Sequence, residues 1–206
     1  MKPVAFDAAL RARLVENLAK SEHAPLAVRG LKRAAVCVIV ADDGSGEAAL
    51  VLTRRAEHLS THSGQFALPG GRIDRGESAL EAARREAREE INLELDAADF
   101  LGRLDDYATR SGYLITPLVA WCARSHGISP NPAEVAKIYR VPLADLGHGP
   151  QFVSIPESPQ PVIRYPLLGT LIHAPTAAVM YQFIEVALLG RATRVAHLEQ
   201  PVWAWR

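Results

Sequence analysis

Three glutamates, Glu86, Glu89 and Glu90, lie at positions i, i+3 and i+4 of a segment with helical spacing of apolar residues. Carboxylates on one helix face repel one another, at roughly 3 kcal/mol per pair for a separation of about 5 Å and an effective dielectric of about 20. In open water the penalty falls to about 0.2–0.5 kcal/mol, so one interpretation is a solvated acidic stripe. The other is a site for a hard divalent cation, because Mg²⁺ prefers oxygen ligands.

Two glycines, Gly70 and Gly71, lie in the loop that precedes this acidic segment. Glycine allows unusual backbone dihedrals and lets the main chain approach a ligand closely. A backbone carbonyl at this point can join the carboxylates around one cation. The glycine pair therefore favours the cation site over the solvated stripe.

The acidic segment is predicted to be a helix from Ser78 to Ile91. Ser78 is followed three residues later by Glu81, the pattern of a capping box that starts a helix. One stripe of the helix is apolar and is expected to pack inward, at Leu80, Ala83, Ala87 and Ile91.

The remaining elements follow from hydrophobic periodicity and from turn residues. Helices are predicted over 6–20 and 175–189, and strands over 34–41, 48–53, 100–104, 114–121 and 135–141. The first two strands flank the turn at 42–46 and should form a hairpin. The loop 54–76 is long and rich in glycine, which is typical of functional loops. The proline-rich stretch 150–166 is predicted to be irregular, and the alternation of Val202, Trp203 and Trp205 predicts a terminal strand.

Composition excludes several classes of protein. The 23 basic and 23 acidic side chains give no net charge, so a non-specific nucleic-acid binder or a protein of acidic membrane surfaces is not expected. No apolar run approaches the length of a membrane span, and the N-terminal segment MKPVAFDAALRARL is too charged for a signal-peptide core. Cys37 and Cys122 sit in apolar runs, which predicts buried, reduced thiols. We expect a soluble, cytoplasmic protein with a sizeable core.

Residues 71–93 read GRIDRGESALEAARREAREEINL and resemble the Nudix box, G-x5-E-x7-R-E-U-x-E-E-x-G-U, where U is a bulky aliphatic residue. Ala87 replaces a bulky aliphatic residue, and Asn92 replaces the second glycine. Asn is the next best residue for a left-handed position after a helix, so that change is expected to do little harm. The matching positions are Gly71, Glu77, Arg85, Glu86, Glu89, Glu90 and Leu93.

The resemblance implies an α/β fold, in which helices enclose a mixed β-sheet, over a single domain of residues 1–206. It also implies a Mg²⁺ or Mn²⁺ cofactor. The implied cation ligands are Glu86, Glu89, Glu90 and the carbonyl of Gly71. The implied catalytic residues are Glu86, Arg85 and Glu89. Glu86 would also orient or deprotonate the attacking water, Arg85 would brace the carboxylates, and Glu77 would support them from the loop.

The segment upstream, LVLTRRAEHLSTHSGQFALPGG at 50–71, resembles a signature of the coenzyme A pyrophosphatases within the Nudix superfamily. Ser60 stands where an arginine is expected and Leu68 where a phenylalanine is expected. The resemblance extends over roughly residues 34 to 147. The matching positions are Leu52, Thr53, Arg55, Ala56, Gly64, Pro69, Gly70 and Gly71.

This second resemblance implies hydrolysis of coenzyme A to adenosine 3′,5′-bisphosphate and phosphopantetheine. Two alternatives stay open: a pyrophosphatase acting on ADP-ribose or another nucleoside diphosphate derivative, and a non-catalytic nucleotide-binding regulatory module. In non-catalytic modules the glutamates that bind the metal are usually replaced, and in this sequence all of them are present. The expected partner is a small-molecule substrate, without nucleic acid or membrane, and a homodimer stays open.

Substrate contacts are expected from Arg55, Arg54 and Phe66, with Leu59 beside Phe66 for an apolar arm of the ligand. Glu134 is either one more acidic group of the site or a plain surface residue. Several other side chains are open between ligand contact and a solvated role: Arg72, Arg75, Arg110, His58 and His62. For Trp203 and Trp205 core packing is expected, with a dimer interface as the alternative.

Overall fold

The structure is a computed structural model that describes residues 2–23, 26, 28, 30–58, 64–123 and 127–204. Within those ranges eight strands form the main sheet: β1 (Lys32–Asp42), β2 (Ala48–Arg55), β3 (Phe66–Ala67), β4 (Gly70–Arg72), β5 (Phe100–Arg103), β6 (Tyr107–Ala108), β7 (Tyr113–Cys122) and β8 (Val135–Pro142). A second sheet contains β9 (Gln151–Ile155), β10 (Ser158–Leu167) and β11 (Thr170–His173). The helices are α1 (Ala8–Lys20), α2 (Ala79–Ile91) and α3 (Thr176–Gln182), and α3 continues as a π-helical segment, Phe183–Leu188.

The central strand of the main sheet is β1, which pairs in parallel with β7 along its length. Its other edge is shared by two antiparallel partners, β4 opposite residues 34–36 and β2 opposite residues 40–42. The predicted hairpin of β1 and β2 is confirmed, with Val40 opposite Leu50. Because β4 begins at Gly70, the glycine loop itself is held in the sheet beside its central strand.

Helices cover both faces of the main sheet, which confirms the predicted α/β/α sandwich with a mixed sheet. On one face, the apolar side of α2 packs against inward residues of β1 and β2: Ala83, Ala87 and Ile91 meet Cys37, Ile39 and Val51. On the other face, α1, α3 and the π-helical segment pack against the alternate residues of the same strands: Leu14, Ala178 and Phe183 meet Val38, Val40, Leu50 and Leu52. The alternation of β1 and β2 between two cores follows from the period of two in a strand.

The apolar segments that contain the two cysteines are mostly buried in the core of this sandwich. Cys37 and Cys122 are both buried and form no disulfide, as predicted. Across the described residues, no helix combines the length and apolar character that crossing a membrane requires.

Two predictions about the C-terminal third are wrong. The stretch 150–166 is not irregular, since it forms β9 and most of β10. Pro156 occupies the turn between these strands, and Pro159 and Pro161 lie within a register shift between Ser158 and Val162. Pro166 lies in the regular ladder opposite Leu171. The predicted terminal strand is instead a 3-10 turn, Val202–Ala204, in which the N–H of Ala204 donates to Pro201.

Some of the predicted features lie outside the described residues: Leu59, Ser60, His62 and Trp205. The predicted loop 54–76 contains the two short strands β3 and β4 among its described residues. These strands place Phe66 opposite Arg54 and Gly71 opposite Ala35.

Candidate active site

The helix α2 is fixed at both ends by local contacts. At its start, Ser78 and Glu81 form the predicted capping box, with the Glu81 N–H donating to Ser78 Oγ at 3.2 Å and the Ser78 N–H donating to Glu81 Oε2 at 2.7 Å. At its end, Asn92 adopts the left-handed conformation, with φ 54° and ψ 33°. Asn was expected to be tolerated in place of glycine for this conformation. The acidic residues are thus carried on a helix with a defined start, end and rotation.

Arg85 connects the carboxylates of the site to one another. Its Nε and Nη2 donate to the two carboxylate oxygens of Glu77, at 2.9 and 3.1 Å. Its Nη1 donates to Glu86 at 2.7 Å and to Glu89 at 3.0 Å, and Nη2 also donates to the carbonyl of Arg72 at 2.9 Å. The hydrogen bonds to the carboxylates, that to Glu77 above all, raise the pKa of the guanidinium although burial acts in the opposite direction, and they keep the group charged. The side chain points to carboxylates, and none of its donors is directed at open solvent.

Glu86 lies against the backbone of Gly71. A Cβ added to Gly71 would collide with the carboxylate of Glu86, so glycine is needed here for Glu86 to keep its observed position. Glu86 is buried, and burial raises its pKa, although the hydrogen bond and charge of Arg85 act in the opposite direction. The charges of Glu89 and Glu134 raise it further. The result is a carboxylate held beside a main-chain segment in an acidic environment.

Glu90 is the most deeply buried acidic side chain of the helix, with 3 % of its surface exposed. Its Oε2 accepts a hydrogen bond from the N–H of Gly70 at 3.1 Å, and Nη1 of Arg55 lies 3.8 Å from its Oε1. Burial and the charge of Glu86 raise the pKa of Glu90 to about 8. The structure therefore removes the interpretation of a wholly solvated acidic stripe.

Two further acidic residues, Glu89 and Glu134, lie near the buried carboxylates of Glu86 and Glu90. The side chain of Glu89 is 44 % exposed and is held by Arg85. Glu134, which the sequence left open, lies close enough for its charge to raise the pKa of both Glu86 and Glu90. It directly precedes β8, and its carbonyl accepts a hydrogen bond from the N–H of Ala56 at 2.8 Å.

The donor set of this site fits a hard divalent cation. It combines carboxylates with the main chain at Gly71, and burial raises the pKa of Glu86 and of Glu90 despite their arginine partners. A dication bound between the two carboxylates would stabilise their ionised forms. Within the described part of the chain, no three acidic, histidine or cysteine side chains stand in a completed ligand arrangement. Binding would therefore require side-chain rotation, for which the half-exposed Glu89 has room.

The arginines singled out by the sequence lie in different places. Arg55 borders Glu90, and its buried Nε has no hydrogen-bond partner among the described residues. Arg54, the preceding residue of β2, points to the opposite face of the sheet, where it donates to the carbonyl of Gly64 at 3.3 Å and to Glu57 at 3.2 Å. Arg110 pairs with Glu199 at 2.7 Å, and Arg72 donates to Tyr113 at 2.9 Å. The last two therefore have protein partners, which favours structural roles.

The remaining open candidates show no common site. Arg75 is exposed. His58 is exposed, with its Nε2 lying 3.1 Å from the carbonyl of Ala133. Trp203 is more than half exposed and lies against His173, with ring centroids 5.4 Å apart.

A cavity of about 510 Å³ lies on the face of the sheet to which Arg54 points. Phe66, which was predicted to contact substrate, lines it together with Tyr139, His173 and Trp203. The sequence reasoning did not assign the last three to a site. No local motif could have found them, because they come from β8, β11 and the final turn and meet only in the folded chain.

Comparison with known proteins places this geometry in context. A family model described as the NUDIX domain matches residues 31–160. A relative from Photorhabdus laumondii named Uncharacterized Nudix hydrolase NudL is 43% identical over 97 residues, which is 47% of this chain and 52% of that protein. Its namesake in Yersinia enterocolitica is 41% identical over 98 residues, 47% of this chain and 50% of that protein. The chain therefore spans about half the length of these curated relatives.

Among solved structures, a NUDIX hydrolase from Alicyclobacillus acidocaldarius superimposes with a TM-score of 0.51 at 16% identity. The match covers 79% of this chain and 93% of that one. At this identity the likeness concerns the fold alone, and it agrees with the sandwich of a mixed sheet between helices.

Proposed function

The chain belongs to the Nudix hydrolase family, and from this premise we propose that it is a metal-dependent pyrophosphohydrolase that cleaves the diphosphate bond of a nucleoside-diphosphate-linked substrate. We propose coenzyme A as the substrate and Mg²⁺ or Mn²⁺ as the cofactor. The products would be adenosine 3′,5′-bisphosphate and phosphopantetheine.

The observation that carries the proposal is the position of Glu86. Its carboxylate is held between Arg85, at 2.7 Å, and the backbone of Gly71. A carboxylate buried without a cation is costly, and an arginine shared with Glu77 and Glu89 compensates only part of that cost. Such an arrangement is expected where a charged ligand completes the site.

The side chains divide the work of hydrolysis. When bound, Mg²⁺ or Mn²⁺ would neutralise charge on the diphosphate oxygens and acidify water. Glu86 would accept the proton of the water whose oxygen attacks one phosphorus atom, while the bond from that phosphorus to the bridging oxygen breaks and the second phosphate leaves. Glu89 and Glu90 would share the cation with Glu86, and Arg85 would keep these carboxylates in place. Since the chemistry needs no covalent intermediate on the protein, its rate depends on positioning and charge.

The substrate proposal rests on the upstream signature and on Arg55. That arginine lies at the edge of the carboxylate cluster with 26% of its side chain exposed, so its positive charge is available to a phosphate group. Ser60, in place of an arginine in the signature, removes one cation that coenzyme A recognition would use. ADP-ribose, which lacks the 3′-phosphate, is therefore the second candidate.

A substrate panel tests the proposal. Coenzyme A, an acyl-CoA, dephospho-CoA, ADP-ribose, NADH and a dinucleoside polyphosphate are each assayed with Mg²⁺ and with Mn²⁺. We expect the highest kcat/KM for coenzyme A. A tenfold preference for ADP-ribose would overturn the coenzyme A proposal and leave diphosphate hydrolysis standing, whereas no turnover of any diphosphate with either metal would overturn the enzymatic proposal.

A further inference from the structure

The cavity beside Arg54 is built largely from the C-terminal part of the chain. Residues 170–176 of β11 and the turn that follows, with residues 200–204, form one wall, and β3 and β8 form the other. The NUDIX family match ends at residue 160, so this wall lies outside it. The cavity volume of about 510 Å³ falls in the range of small-molecule sites, which is about 300–1,000 Å³.

Four rings line the cavity in two pairs. Phe66 and Tyr139 lie 5.1 Å apart between ring centroids, with their planes tilted by 54°. His173 and Trp203 lie 5.4 Å apart and nearly perpendicular, at 85°. Trp203 is 55% exposed, an unusual state for the largest apolar side chain, and this leaves ring surface open to a ligand. Aromatic surface contributed by both walls suits a planar aromatic guest better than a flexible chain.

The polar groups of the cavity are few and mostly neutral. No acidic residue lines it among the described residues, and Arg54 is the one ionised side chain there. Gln200 is buried, and its Oε1 accepts the N–H of Arg110 at 2.7 Å, so its amide N–H groups are the donors that it can offer to a guest. Burial and the nearby charge of Arg164 lower the pKa of His173, which keeps its ring neutral at pH 7. A neutral heterocycle with ring-nitrogen acceptors matches this lining, and a polyphosphate does not.

The cavity is close in the chain to the carboxylate cluster. Phe66 precedes Gly71 by five residues, which limits the distance between them to about 18 Å even for a fully extended chain. Arg54 and Arg55 are consecutive, and one faces the cavity while the other faces Glu90. A substrate that spans this distance past β3 can therefore place one end in the cavity and its diphosphate at the carboxylates.

We propose that this cavity binds the purine base of the nucleotide half of the substrate, stacked between Phe66 and Trp203. The inference rests on the proposed function for the identity of the ligand, because a nucleoside diphosphate is what the carboxylate cluster would cleave. The C-terminal wall then determines specificity for the base, and the phosphates leave the cavity past Arg54.

Equilibrium binding of adenosine 5′-monophosphate, measured by calorimetry without added metal, tests this assignment. Stacking of a base on an aromatic side chain contributes about 1–3 kcal/mol, so Trp203→Ala is expected to weaken binding roughly tenfold or more. Phe66→Leu, which keeps apolar volume in the core contact but removes the ring, should act in the same direction. The matched control is Phe152→Ala, since Phe152 is an aromatic residue of similar exposure, at 50%, outside the cavity.

The binding assay separates this inference from the enzymatic proposal, because it needs neither metal nor turnover. Ribose 5-phosphate and phosphopantetheine serve as ligands without a base, and their binding should not respond to either substitution. Unchanged affinity for adenosine monophosphate in both folded variants would overturn the base assignment even if coenzyme A is hydrolysed. Weakened binding of phosphopantetheine alone would assign the cavity to the pantetheine arm instead. If the wild type has no hydrolase activity but binds the nucleotide through Trp203, the base assignment stands and the proposed enzymatic activity is wrong.

Discussion

Arg85 and Glu77 are joined by two parallel hydrogen bonds, Nε to Oε1 at 2.9 Å and Nη2 to Oε2 at 3.1 Å. This bidentate pair anchors the helix α2 to the loop before it, because Glu77 also accepts the N–H of Asp74 at 2.9 Å. The remaining guanidinium donor, Nη1, can then hold Glu86 and Glu89 in fixed positions. The planar shape of arginine, and not its charge alone, thus determines where the acidic groups of the site lie.

Replacing Arg85 with lysine is therefore expected to lower kcat by about 10- to 100-fold, because charge-assisted hydrogen bonds contribute about 1.5–3 kcal/mol each. KM should change by less than about threefold, since the side chain contacts carboxylates and not the proposed substrate. Steady-state kinetics on the best substrate of the panel measure both constants. The control is Arg88→Lys, because Arg88 lies exposed on the same helix. An equal loss in the two variants, or a loss confined to KM, would contradict the positioning role.

Gly71 and Gly70 should respond differently to alanine. In Gly71→Ala the new Cβ meets the end of the Glu86 side chain, which can rotate away, so Tm should change by less than about 3 °C while activity falls at least tenfold. In Gly70→Ala the Cβ meets the backbone of Ala35 and Val36, which cannot move without disturbing β1. Thermal denaturation should therefore show a much larger loss of stability for Gly70→Ala. Full activity in a folded Gly71→Ala enzyme would argue against a catalytic position of Glu86 beside this glycine.

The buried acid Glu199 is expected to make stability depend on pH. Burial would raise its pKa, but the hydrogen bonds from Arg110 and from the N–H of Gln200 outweigh burial and hold the pKa below the ordinary value of 4.5. A carboxylate with a lowered folded-state pKa stabilises the fold above its unfolded-state pKa, and this contribution is lost as the pH falls through the folded-state pKa. Glu199→Gln should therefore lower Tm by roughly 3–6 °C at pH 7, with a difference that shrinks below about pH 4.

Paired thermal melts of wild type and Glu199→Gln between pH 3 and pH 7 check this expectation. Glu94→Gln serves as the control, because Glu94 is an exposed acid. A Tm difference that grows as the pH falls would show that the sign of the effect is wrong. The result also bears on Arg110, which the sequence left open as a phosphate contact and which the structure pairs with Glu199.

How far the sequence predicts this molecule depends on how local each feature is. The helix α2 and its acidic face were predictable, because the cap at Ser78, the apolar period and the left-handed Asn92 all lie within one short segment. The strands β9 and β10 were not, because prolines normally interrupt strands, and only the tertiary pairing shows that Pro156 falls at a turn and that Pro159 and Pro161 fall at a register shift. Trp203 and Phe66 are far apart in the chain, so no sequence pattern indicates the cavity they share.

Burial of the acidic residues is another property that the sequence could not supply. The spacing of Glu86 and Glu90 is equally consistent with a solvated stripe and with a site, since both lie on the same helix face. The structure distinguishes these cases because Gly70 and Gly71 in β4 pack directly against the two carboxylates. The roles of Glu86, Arg85 and Glu89 in catalysis stay predictions that require kinetics.

The most direct test of the account is the rate of coenzyme A cleavage as Mg²⁺ is titrated into chelator-treated wild type and Glu86→Gln, with ADP-ribose run in parallel. The wild type should be inactive without metal and regain activity with Mg²⁺ or Mn²⁺. At saturating Mg²⁺, Glu86→Gln should be slower by about 10²–10⁴ in kcat, the usual contribution of a general base, with KM within threefold. Wild-type activity that persists in the chelator, or a Glu86→Gln enzyme as fast as the wild type, would contradict metal-dependent hydrolysis at this carboxylate.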